Sequence, residues 1–214
     1  MVQSFKFALE LMAHNMAASY IPGATAIGMT YREGVVLAAD RRASYGTFIL
    51  SKNAKKVFKV TDKIGLASAG MISDAQTILR EAKYGANMFK LQTDRDMNAK
   101  ALAKLISNIL FSNRLAPLLT QIIVGGFDKG GAVVVVMDPL GSLVEDKYAA
   151  VGSGSELALG ILEATYKDDL SYDEVKAQVL KTVRSALERD SASGNGIDML
   201  FISEGKTWEE FAPV

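Results

Sequence analysis

Two stretches with no polar interruption, Ile122-Ile123-Val124 and Val133 to Met137, constrain the fold more than any other feature. A strand reads as an unbroken apolar run when both of its faces are covered, so layers must lie on each side of these two. The rest of the pattern supplies such layers. Thr25 to Arg32 and Val35 to Arg41 read as strands joined by a tight turn at Glu33-Gly34. Val57 to Thr61 and Ile64 to Gly70 read as a second hairpin around Asp62-Lys63. Ser73 and Gln76 have the spacing of a capping box, opening a helix to about Leu91. Leu102, Leu105, Ile106, Ile109 and Leu110 line one face of the next helix. Strands return at Leu119 to Phe127 and Ala132 to Asp138, joined at Asp128 to Gly131, and a third runs from Leu143 to Val151. Gly154 to Tyr166 reads as a helix. Ser171 and Glu174 cap another, with Val175, Val179, Val183 and Leu187 in one stripe, and Ile197 to Ser203 is the last strand. The order predicts one layered α+β domain, with sheets packed together and helix pairs outside.

Composition narrows the chemistry. The 214 residues carry 24 basic and 24 acidic side chains, no cysteine and a single histidine, His14. Zero net charge without a basic patch speaks against nucleic acid and anionic membrane as partners. Without cysteine there is no thiolate nucleophile and no Cys-ligated metal, and one histidine near the N-terminus cannot furnish a Ser-His-Asp triad or a zinc site elsewhere. A hydrolytic base must come from Lys, Asp, Glu or a free α-amino group. Met1 to Gly23 has an apolar run broken by Glu10, His14 and Asn15, too short and interrupted for a membrane span. It reads either as a short amphipathic helix or as a cleavable pro-segment.

Three clusters carry functional signal: Gly23-Ala24-Thr25-Ala26-Ile27-Gly28 followed by Gly34 to Ser44; Lys52-Asn53-Ala54-Lys55-Lys56-Val57; and Gly152-Ser153-Gly154-Ser155 with Arg189-Asp190-Ser191-Ala192-Ser193-Gly194. Singly, each also reads as a charged strand end, a solvated turn or an ordinary loop. The Gly-Ser-Gly-Ser stretch lacks the Lys-Ser/Thr ending of a phosphate-binding loop. Together and in this order they resemble the β-type subunits of the 20S proteasome, over nearly all of the chain after Gly23 and most closely the archaeal type.

That resemblance implies an N-terminal-nucleophile hydrolase with a four-layer αββα sandwich, here over residues 24–214, behind a pro-segment at 1–23. In the family a propeptide is cut after glycine, which is Gly23 here. The freed threonine attacks a peptide carbonyl through its hydroxyl, with its own α-amine as base; an ordinary α-amine titrates near pH 8. Carried across, Lys56 is the lysine beside the nucleophile, Asp40 the carboxylate that orients it, and Arg42 part of the same polar cluster. Ser153, Asp190 and Ser193 surround the threonine and its amine. Gly70 supplies the oxyanion-hole N–H, a contribution of roughly 3 kcal/mol in comparable hydrolases. Ala43, Ser44, Ser68 and Ile72 fall where the family builds its specificity pocket, predicting a modest, mostly apolar one. The resemblance implies no cofactor and no metal, a cytoplasmic particle, stacked heptameric rings of β subunits between rings of α subunits, an ATPase unfoldase at the α ring, and unfolded polypeptide as substrate.

The pattern breaks at one place. The nucleophile position, counted back from Asp40 and Lys56, holds Ala24. A methyl group cannot attack a carbonyl, so the chain as written is expected to be inactive and unprocessed. Two explanations stand: an engineered, trapped precursor, or a naturally non-catalytic subunit with a structural or assembly role. A more distant alternative is another N-terminal-nucleophile amidohydrolase acting on small amides. Cleavage behind Ala24 would expose Thr25 instead, but successive side chains of a strand point to opposite faces, aiming that hydroxyl away from Lys56.

Overall fold

The computed structural model describes residues 23–214. The expected N-terminal helix or pro-segment, including His14, lies outside the described residues. The elements are β1 (Thr25–Tyr31), β2 (Gly34–Asp40), β3 (Ala43–Tyr45), β4 (Phe48–Ser51), β5 (Val57–Lys59), β6 (Ile64–Gly70), α1 (Ile72–Thr93), α2 (Ala99–Ser112), β7 (Thr120–Asp128), β8 (Gly131–Met137), β9 (Val144–Asp146), β10 (Tyr148–Gly152), α3 (Ser155–Thr165), α4 (Tyr172–Leu187), β11 (Ile197–Ser203) and β12 (Lys206–Ala212).

Two five-stranded antiparallel sheets, ordered β10-β1-β2-β11-β12 and β5-β6-β7-β8-β9, face each other. The alternation of strand side chains divides the apolar residues among three clusters. Ile27, Met29, Val36, Met199 and Phe201 meet Leu162, Val175, Val179 and Val183 of the α3–α4 pair. Leu66, Ile122, Val124 and Val135 meet Ile78, Leu102, Ile106 and Leu110 of the α1–α2 pair. Ala26, Val35, Leu37, Ile123, Val134 and Leu200 fill the space between the sheets. This is the expected αββα sandwich, and the two apolar runs are covered on both faces as their pattern demands. The sheets approach closely around Leu37. A Cβ at Gly28 would lie 2.9 Å from Leu37 Cδ2, and one at Gly125 would lie 2.7 Å from Val35 Cγ1.

The structure corrects several local expectations. The first turn is Arg32-Glu33, and Gly34 already belongs to β2, paired with Tyr31 and Ser203. Its glycine serves close backbone approach instead, because a Cβ there would meet the Ile202 carbonyl oxygen at 1.9 Å. Ser73 does not cap α1: the N-cap is Met71, and the Ser73 hydroxyl donates to Asp74 inside the first turn. The other Asp74 oxygen accepts the Leu119 N–H at 2.8 Å, tying the helix start to β7. The Ser171–Glu174 capping box forms as expected, with the Ser171 N–H donating to Glu174 at 2.8 Å.

The strand expected from Leu143 to Val151 is two strands. The chain breaks at Lys147 and changes sheets there, β9 pairing with β8 and β10 with β1. Three strands escaped the pattern. The β3–β4 hairpin is short and largely exposed. β12 hides its strand character behind Glu209 and Glu210, which pair with Lys55 and Lys176, while Trp208 stacks on Phe201 at 5.2 Å.

Candidate active site

The alternation that builds the core also sorts the residues at the start of β1. Ala24 and Ala26 pack in the apolar cluster between the sheets, with Val57, Ala67 and Ala69. Thr25 points the other way. Its Oγ1 lies where a Cβ on Gly154, the N-cap of α3, would come within 2.1 Å. Both residues are wholly buried.

Asp40 ends β2 beside them, fully buried, and its two oxygens take four donors. Oδ1 accepts from Lys56 Nζ at 2.6 Å and from the Thr25 N–H at 3.0 Å. Oδ2 accepts from the N–H groups of Arg42 and Gly194, each at 2.9 Å. Lys56 enters from the residue before β5, and its ammonium also donates to the Arg42 carbonyl at 2.6 Å. Burial lowers the proton affinity of Lys56, and the adjacent Asp40 carboxylate opposes that shift without cancelling it.

A second carboxylate gathers the serines. Asp190 Oδ2 accepts from the hydroxyls of Ser153 and Ser193, both at 2.6 Å, and Oδ1 accepts the Ala192 N–H at 3.1 Å. Ser153 Oγ in turn accepts the Ala24 N–H at 3.1 Å. Ser193 Oγ lies 2.9 Å from Thr25 Oγ1. Arg42 holds the loop carrying Ser193: its Nε donates to Asn195 Oδ1 at 3.0 Å and its Nη1 to the Ser191 carbonyl at 2.7 Å. The guanidinium wraps Gly194, where a Cβ would meet Nη2 at 2.3 Å.

Gly70 sits at the end of β6 with φ +117°, a backbone only glycine adopts readily. It shares with Gly23 a cavity of about 440 Å³ whose walls include Leu119, Gln121, Pro139 and Ser153. The four residues expected to line a specificity pocket are not among the walls of this cavity. Ala43, Ser44 and Ser68 are buried, and Ile72 is half-buried at the start of α1. The Ser44 hydroxyl donates to the Ala192 carbonyl at 3.3 Å and the Ser68 hydroxyl to the Lys56 carbonyl at 3.4 Å, so both brace the segments around the site. Sequence reasoning missed Gln121, whose Oε1 accepts the Gly152 N–H at 2.8 Å. Its signal was a long polar side chain, next to Thr120, at the head of an apolar run.

A four-layer αββα sandwich, two antiparallel sheets between two helix pairs, is the architecture of the N-terminal-nucleophile hydrolases. The proteasome subunit family model matches residues 22–202. The chain is 44% identical over 195 residues to proteasome subunit beta 2 of Pyrobaculum neutrophilum, covering 91% of this chain and 96% of the relative. It is 47% identical over 188 residues to proteasome subunit beta 1 of Hyperthermus butylicus, covering 87% and 92%. A third relative, proteasome subunit beta 1 of Staphylothermus marinus, is 45% identical over 88% of both chains. The chain belongs to the proteasome subunit family, as a β-type subunit. Membership implies assembly with other proteasome subunits and a part in protein degradation. Among the described residues no helix is long and apolar enough to cross a membrane.

Proposed function

We propose that this chain is a β subunit of the 20S core whose threonine-peptidase site is complete except for its nucleophile, so that it lines the degradation chamber without cutting. The observation that carries this reading is the setting of residue 24. Its N–H is held by Ser153, its neighbour's N–H by Asp40, and the Lys56–Asp40 pair stands beside it intact.

With a hydroxyl at position 24 each surrounding group has a task. The hydroxyl adds to the substrate carbonyl, and the α-amine freed by a cut behind Gly23 takes its proton, resting on Ser153 as the present amide does. The Lys56 ammonium, held by Asp40, favours the alkoxide over the alcohol. The Gly70 N–H faces the developing oxyanion. A methyl group supplies none of this. Ala24 therefore ends both the cut behind Gly23 and turnover, and residues 1–23 stay attached as a pro-segment. In this reading the partners are α subunits, further β subunits in stacked heptameric rings and an ATPase unfoldase at the α ring, in a cytoplasmic particle that takes unfolded polypeptide.

A purely structural subunit is the second reading. It draws support from the fit of the Ala24 methyl, fully buried beside Val57, Ala67 and Ala69 with no polar group left over. Peptide hydrolysis by the assembled Ala24 chain and by Ala24→Thr separates the two. The first reading expects no turnover from the Ala24 chain and measurable turnover from the variant. Two inactive proteins would favour the structural role.

A further inference from the structure

We propose that Thr25 is a positioning residue: through its N–H, held by Asp40, and its hydroxyl, which reaches Asp190 by way of Ser193, it ties residue 24 to both carboxylates. The proposal rests on the reading of residue 24 as the nucleophile position.

The direction follows from counting hydrogens. Ser193 has one hydroxyl hydrogen, and the contact to Asp190 Oδ2 at 2.6 Å uses it. The 2.9 Å contact between Ser193 and Thr25 therefore has Thr25 as donor. Ser153 spends its hydrogen on the same carboxylate oxygen at 2.6 Å, in preference to the Ala24 carbonyl at 3.3 Å. Its lone pairs are left for the Ala24 N–H at 3.1 Å. The result is a closed ring, from the Ala24 N–H through Ser153, Asp190 and Ser193 to Thr25, with Asp190 as its acceptor.

Thr25 is the one residue in that ring also bonded to the other carboxylate, its N–H donating to the Asp40 oxygen that takes the Lys56 ammonium. Its hydroxyl is wholly buried against the Gly154 backbone, so close that a Cβ added there would lie 2.1 Å from it, and water has no route to replace it. Once the chain is cut behind Gly23, residue 24 is held covalently only through Thr25. The orientation of Thr25 then decides where the residue 24 side chain points.

The test compares Thr25→Val, which keeps the shape and deletes the donor, with Thr25→Ser, which keeps the donor. In the full Ala24 chain, amide hydrogen exchange at Ala24 should rise roughly threefold to tenfold in Thr25→Val, the effect of one neutral hydrogen bond. Exchange in the central strand β7 should not change, and Thr25→Ser should restore the parent rate. If Thr25→Val does not fold, Ser193→Ala breaks the same ring and should raise Ala24 exchange alike. In the Ala24→Thr background, Thr25→Val should lower kcat by about the same factor at unchanged KM and move the pH–rate profile, with Thr25→Ser again restoring both. Unchanged exchange at Ala24, or equal loss in Thr25→Ser, would overturn the proposal. A silent Ala24→Thr parent would instead sink the reading of residue 24, while the exchange data still decide the role of Thr25.

Discussion

Asp40 and Asp190 both hold the start of β1, but in different surroundings. Asp40 is fully buried and takes four donors, one of them the ammonium of Lys56. Asp190 is partly exposed and takes two hydroxyls and one N–H. A buried charge without its partner is costly, whereas groups near water find substitutes. The difference teaches that folding leans on the Asp40 side of residue 24, while the Asp190 side orients what sits there at little cost to stability.

The sharpest way to break this comparison is to neutralise each carboxylate in turn. Asp40→Asn strands a buried ammonium and should cost about 3–5 kcal/mol in urea unfolding. Adding Lys56→Met should recover much of that loss. Asp190→Asn should cost only about 1–2 kcal/mol, and similar losses from both variants would show that the two sides are not divided in this way.

Next in size is an alkaline effect at the far end of β1, where a buried group lacks a partner. The Tyr31 hydroxyl has no hydrogen-bond partner among the described residues. Burial, with smaller contributions from Glu33 and Tyr172, pushes its pKa up to about 12. The folded chain thus holds this proton more tightly than the unfolded one. The associated stability is complete below pH 10 and is lost as pH rises from 10 through 12, about 2–3 kcal/mol in all. Lys56 runs the other way: burial lowers its folded pKa below 10.5, so its contribution to stability grows as pH climbs toward 10.5 and is complete above it. Tyr31→Phe should remove the alkaline loss and leave the Lys56 trend, as read by unfolding at successive pH values. A natural chain whose alkaline stability matches that of Tyr31→Phe would contradict the assignment.

The smallest effect is expected from the braces. Ser68→Ala removes one long hydrogen bond to the Lys56 carbonyl, 3.4 Å, and should cost less than about 1 kcal/mol. A larger loss would move Ser68 into the Asp40 side of the comparison.

What the sequence made legible follows from its periodicities. The two apolar runs announced a covered sheet, and the valine stripe of α4 announced its packing face. The motifs are far apart in the chain, yet their residues Asp40, Lys56, Ser153, Asp190 and Ser193 gather around residues 24 and 25. Hidden from view were features set by tertiary contact. Gly34 looked like a turn residue and is required by the approach of the β11 backbone. Lys147 carries no local mark of a chain changing sheets. β12 shows no strand pattern in the sequence because Glu209 and Glu210 find their lysines only in the folded state. Ala43, Ser44 and Ser68 are buried, and the hydroxyls of Ser44 and Ser68 are spent on the carbonyls of Ala192 and Lys56, bonds that only the folded chain brings together.

The most direct test of the central claim, that Ala24 is the one missing part, is the intact mass of the Ala24→Thr chain after assembly with its α partner. The account predicts loss of residues 1–23 from the variant and their retention in the Ala24 chain. A variant that assembles and still carries residues 1–23 would contradict it.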